Sequence, residues 1–211
     1  YMSDSGYCSY TASEKERALR ATEIHQTKTP VNPKFLTIFV SYLVVSLALA
    51  MLSLRLTANN DGVAILWLPA GAALVALVFI DMRLWSGVAL ATLISNFYFG
   101  ASIPIAFGIS LGSVLGAIIA SFVIQRLGPW KELSIFLKAL KLGTLGAIVS
   151  AIISASIGVT SLYLSGVVPA SETAVNWGRW VLGDGLAILL FSSFILVYVM
   201  LTDSYNDRTD F

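Results

Sequence analysis

Apolar residues run almost unbroken through six stretches of the chain, and the interruptions between them are short, polar or basic. The runs cover 35–55, 63–80, 84–99, 104–127, 142–164 and 177–201. Each approaches or exceeds the roughly 17–25 residues with which a helix crosses the hydrocarbon core of a bilayer. Inside hydrocarbon a helix is also the form that satisfies its own backbone hydrogen bonds. The pattern predicts an all-α fold, a polytopic transmembrane helical bundle of about six spans over residues 35–202. A polar N-terminal arm, 1–34, precedes it and a polar stub, 203–211, follows.

The polar segments refine this outline. Ser13 and Glu16 have the spacing of a capping box for a short helix over 13–24, and Pro30 and Pro33 end it. Residues 128–141 mix Ile135-Phe-Leu with Lys131, Lys138 and Lys141 and read as an interfacial segment on the bilayer surface. Placing the N-terminus inside puts Lys28, Lys34, Arg83, Arg126, Lys131, Lys138, Lys141 and Arg208 on the inner side. Only Arg55 and Arg179 fall outside. That asymmetry predicts that both termini are cytoplasmic.

Composition narrows the class. Hydrophobic residues make up 57% of the 211 and charged residues 12%, which excludes an ordinary soluble domain. The net charge of +1 is spread between the apolar runs, so nucleic acid is not an expected partner; the lipid bilayer is. The single cysteine, Cys8, excludes an internal disulfide, and the single histidine, His25, lies outside the predicted spans. No nucleophile elbow, no HExxH and no acidic pair within one span occurs. No catalytic residue, metal or cofactor is expected, and the chain does not read as an enzyme.

The candidate chemistry gathers toward the outer half of the spans. Asp184 interrupts the last run, within Trp177-Gly-Arg-Trp-Val-Leu-Gly-Asp-Gly185. A carboxylate in hydrocarbon costs about 2.5–3.5 kcal/mol on insertion scales, which makes it a functional-site candidate. At 100° per residue, Trp177, Trp180 and Asp184 share one helix face, and Trp67 and Asn96 enter from the same side of the membrane. These five are candidates for lining a ligand or cation pocket. The competing reading is an aromatic belt with an acid that caps or pairs inside the bundle. Pro69 either starts a helix or kinks one. Gly108, Gly112 and Gly116 repeat every fourth residue, the signature of close helix packing.

Several of these stretches together resemble one family. Trp67-Leu-Pro-Ala-Gly71, Arg83-Leu-Trp-Ser-Gly87, Asn96, Ser154-Ala-Ser-Ile-Gly-Val159 and Trp177-Gly-Arg-Trp-Val-Leu-Gly-Asp184 occur in the order and spacing of the first type of MASE domain, the bacterial membrane-associated sensor. The resemblance covers about 35–200. It implies an integral sensory module of the bacterial inner membrane, feeding a cytoplasmic output domain such as a histidine kinase or a cyclic di-GMP enzyme. The chain departs from the family in having fewer spans, no glutamate in the fourth, and Ser192-Ser193 where a proline is usual. Without an output domain in view, a second function stays open: a structural or accessory subunit of a larger membrane complex, docked through its helices and polar arm.

Overall fold

The computed structural model describes residues 33–56, 66–126 and 134–209, and every regular element among them is helical. The expected capping box at Ser13 and most of the polar arm lie outside the described residues. The chain divides into Tyr1–Ile38 and Phe39–Phe211. The first unit contributes only the opening of α1 to the described residues; the helical bundle belongs to the second.

Among the described residues, six α-helices succeed one another in order: α1 (Pro33–Leu56), α2 (Leu68–Val75), α3 (Trp85–Tyr98), α4 (Ile103–Arg126), α5 (Ile135–Leu164) and α6 (Thr173–Thr209). Among the described residues, three segments are long and apolar enough to cross a membrane: Pro33–Arg55, Ile103–Arg126 and Gly143–Leu164. Leu68–Ile80 is apolar but shorter.

Two expected segments are corrected. The surface segment expected at 128–141 is, from Ile135 onward, the first two turns of α5. Ser134 caps it, its hydroxyl accepting from the Leu137 N–H at 3.4 Å, and no glycine or proline interrupts the chain until Gly143. The last helix starts at Thr173, four residues before Trp177, from a short 3₁₀ turn, Ala170–Glu172. It then runs through 203–209, which composition marked as a stub, because no glycine or proline follows Gly185 to stop it.

α2 shows why its residues fold as they do. Pro69 sits at the start of the helix, where its missing N–H costs nothing. The free N–H groups there find partners on neighbouring helices: Leu68 N–H donates to Ser53 Oγ of α1 at 3.0 Å, and Trp67 N–H to the Gly183 carbonyl of α6 at 3.4 Å. The helix ends in a widened π turn, Ala76–Ile80, in which Asp81 N–H donates to the Ala76 carbonyl at 3.0 Å. Asp81 then caps a 3₁₀ turn and pairs with Arg83 at 2.8 Å. The Arg83 side chain and backbone N–H hold the Asp81 carboxyl below its ordinary range. At the opposite end of the bundle the turns carry Gly100 (φ 87°) and Gly166 (φ 72°), a conformation that side chains disfavour.

Burial is inverted relative to a water-soluble fold. Val44, Phe107, Ile148, Leu182 and Phe194 are exposed on the helix flanks, while Ser46, Ser53, Ser121, Ser154, Asp184 and Ser192 are buried. An apolar exterior around small polar interior side chains is the arrangement a bilayer rewards. The compact core joins Leu74 of α2, Ala120 and Ile124 of α4, Ala147 of α5 and Ile188 of α6.

Small residues set the helix spacing. Gly108, Gly112 and Gly116 face α5, meeting Ser161, the Ser154 carbonyl with Ile157, and the Ser150 carbonyl. Gly71 does the same for α2 against α6, where an added Cβ would lie 2.6 Å from the Ala187 carbonyl oxygen. Ser110 of α4 adds a cross-helix bond, its hydroxyl donating to the Ala89 carbonyl of α3 at 2.8 Å.

Candidate functional site

At the Gly100 and Gly166 end, the helices enclose a cavity of about 570 Å³, within the roughly 300–1,000 Å³ of small-molecule sites. Trp67, Asn96, Trp180 and Asp184 line it, together with apolar groups such as Ile105 and Leu162. Each polar group is delivered by a different local device. Trp67 is the residue just before α2, held by the Gly183 carbonyl. Asn96 ends α3 and spends its amide on the Thr92 carbonyl at 2.9 Å, leaving its side-chain oxygen uncommitted in the contacts seen. Trp180 and Asp184 are one turn apart on α6.

Trp180 is positioned by a residue whose role sequence reasoning did not single out. Its ring lies in the notch at Gly158 of α5, so that a Cβ there would stand 2.6 Å from the ring edge. Gly158→Ala is therefore expected to push the indole into the cavity, readable as a shift in tryptophan emission and a loss of about 1–3 kcal/mol of stability, the usual cost of overpacking. An unshifted spectrum would refute the notch.

Asp184 is the floor of the cavity. It is 2% exposed, with Ser154 and Trp180 beside its carboxyl, and its Oδ1 has no hydrogen-bond partner in the protein. Beneath it lies a second, much smaller chamber of about 10 Å³, to which Asp184 and Trp67 also belong. Among the described residues, no lysine, arginine or histidine lines either space. Among the described residues lining these spaces the carboxyl faces no cationic side chain, and its polar neighbours are the Ser154 hydroxyl and the Trp180 indole.

Trp177 is separated from the other four. It lines a groove with Thr160 and Tyr163 on another flank of α5, and its indole N–H donates to Ser156 Oγ at 3.0 Å. Trp177 shares the helix side of Asp184 but lies seven residues, about 10 Å, farther along the axis. Trp180 already fills the notch between them.

α1 contributes polar groups that were not singled out as site residues. Tyr42 and Ser46 line the small chamber, and Ser53 caps α2. Their spacing with Ala50, at i, i+4, i+8 and i+11, was the available signal: one helix face of small or polar residues inside an apolar run. Among the described residues, no group of three or more His, Cys, Asp or Glu side chains could hold a metal ion.

No curated protein and no solved structure matches the chain significantly. The MASE1 family model matches residues 36–204, which takes in all but the ends of the first and last described helices and every residue lining the cavity. The chain belongs to the MASE1 family of membrane-associated sensor domains.

Proposed function

We propose that this chain is the sensory part of a signalling protein of the bacterial inner membrane, crossing it about six times with both termini cytoplasmic, and that the cavity above Asp184 binds the signal molecule. The observation that carries this is a carboxyl and two indoles converging on a small-molecule-sized space with no cationic side chain on its walls. Indole faces and an acid favour a compact ligand that carries a cationic or hydrogen-bond-donating group on an apolar body. The walls draw on α1, the start of α2, and α3 to α6, so an occupant that spreads them shifts α6. That helix continues to Thr209, the end at which a cytoplasmic output domain, a kinase or a cyclic di-GMP enzyme, would read the change. Such a shift requires only that the occupant favour one arrangement of the helices over another.

The test uses a cationic, membrane-impermeant methanethiosulfonate on cells expressing the full chain with Cys8→Ser. Ser102 borders the cavity and Gln125 lies near the other end of α4. Ser102→Cys is expected to react from outside and Gln125→Cys not to, and the reversed pattern would overturn the orientation. The attached trimethylammonium group is then a tethered occupant. It is expected to change hydrogen exchange along α6 beyond Ser192, and unchanged exchange there with the site filled would overturn the sensory reading.

A further inference from the structure

The chamber beneath Asp184 has a chemistry of its own. Tyr42 and Ser46 of α1, Ser113 of α4, Ser150 and Ser154 of α5 and Asp184 of α6 all line it. Four buried side-chain polar atoms among the described residues make no well-formed hydrogen bond, and three of them, Tyr42 OH, Ser154 Oγ and Asp184 Oδ1, belong to this one lining, with Ser154 beside the Asp184 carboxyl and Ser46 beside Tyr42. Buried polar atoms are almost always satisfied, so three orphans around one space point to an occupant that satisfies them together. Its volume of about 10 Å³ admits a single water-sized body and nothing larger.

Charge decides what kind of body. The carboxyl is removed from water, and no cationic side chain lines the chamber. A buried carboxylate without a counter-charge is costly, so a positive occupant gains most there. Apart from the Trp67 indole, the polar side chains of the lining offer oxygen, the donor that hard cations select over softer ones. Asp184 and Trp67 are shared with the outer cavity, which provides a way in.

We propose that this chamber is a binding site for one small monovalent cation, sodium, held by Asp184 Oδ1, Ser154 Oγ and Tyr42 OH between α1, α5 and α6. The site joins helices that approach the chamber from separate parts of the chain, so occupancy stabilises the bundle. Asp184 also borders the outer cavity, so a cationic occupant there would compete with sodium for its charge; with no such occupant added, sodium alone is the probe.

Thermal unfolding of the detergent-solubilised full chain is measured in sodium, potassium or choline chloride at one ionic strength. Sodium is expected to raise the melting temperature by about 2–4 °C over choline, the shift that about 1 kcal/mol of linkage gives a chain of this size. Potassium, too large for the chamber, is expected to do less. Asp184→Asn is expected to abolish the sodium shift. Ser154→Ala, which removes an oxygen with no partner in the protein, should fold and require about tenfold more sodium. Ser121→Ala removes the remaining one of the four atoms, a hydroxyl that does not line this chamber, and should leave the shift intact. Equal melting temperatures in sodium and choline would overturn the site and leave the orphans to a water. So would equal shifts with sodium and potassium, or a sodium shift that survives Asp184→Asn. If Asp184→Asn does not fold, the Ser154→Ala and Ser121→Ala pair decides: equal sodium requirements in the two would overturn the assignment.

Discussion

Gly116→Ala is expected to lower the stability of the full chain by about 1–3 kcal/mol, the usual cost of forcing volume into a packed interface. The cause is a backbone collision. A Cβ at Gly116 would stand 2.6 Å from the carbonyl oxygen of Ser150, and a carbonyl inside a helix cannot rotate away as a side chain can. α4 and α5 would have to separate along the seam that also brings Gly112 to the Ser154 carbonyl and Gly108 to Ser161. In thermal unfolding this reads as a fall of about 2–4 °C per kcal/mol for a chain of this size. Gly116→Leu, with a whole side chain at the same point, is expected to yield no folded protein. Gly178 is the control: nothing lies within 4 Å of a Cβ there. Gly178→Ala is expected to leave stability unchanged or raise it by up to about 1 kcal/mol, because alanine is the better helix former. A Gly116→Ala chain as stable as Gly178→Ala would show that the two helices do not meet at this seam.

These two glycines mark what the sequence makes legible and what it does not. The four-residue period at Gly108, Gly112 and Gly116 announces a close approach, but nothing in it names α5 as the partner. Gly158 ends a four-residue period of small residues, Gly146, Ser150, Ser154 and Gly158, but nothing in that period names it as the notch for Trp180. The all-helical character is visible from long apolar runs, since only a helix satisfies their backbone in hydrocarbon. Trp67, Asn96, Trp180 and Asp184 were visible as polar or aromatic exceptions within such runs, and the structure brings the four around one cavity. Tyr42 and Ser46 were harder to see. Single hydroxyls are common in membrane helices, where they often bond to their own backbone, as Ser192 and Thr144 do here. Which hydroxyls remain unspent depends on how helices distant in sequence face one another. The start of α5 is ambiguous in sequence for a related reason: lysines among apolar residues suit a surface segment and a helix equally, and the Ser134 cap decides for the helix.

Asp184→Asn is expected to fold and to insert normally, and to abolish the response of α6 to an occupied cavity. The amide keeps the size of the carboxyl and removes its charge. Were the carboxylate half of a buried ion pair, that loss would strand a cation and cost about 3–5 kcal/mol. No cationic side chain lines either space around it, and its Oδ1 is already without a partner in the protein. In choline chloride, where no sodium is bound, the loss is therefore expected to stay near the roughly 1 kcal/mol of an altered hydrogen bond, well below that of a broken buried ion pair. The functional change should be close to complete, since a neutral floor offers a cationic or donating ligand no charge to meet. Hydrogen exchange along α6, with the tethered trimethylammonium group in place, measures that response; thermal unfolding of the same preparation measures the fold. A variant that unfolds would make Asp184 a structural residue, and one that folds and still responds would move the site to other residues of the cavity. A folded chain with a silent α6 is the outcome that the geometry of Asp184 calls for: a carboxyl buried at the floor of a cavity and held there by packing instead of by a counter-ion from the protein.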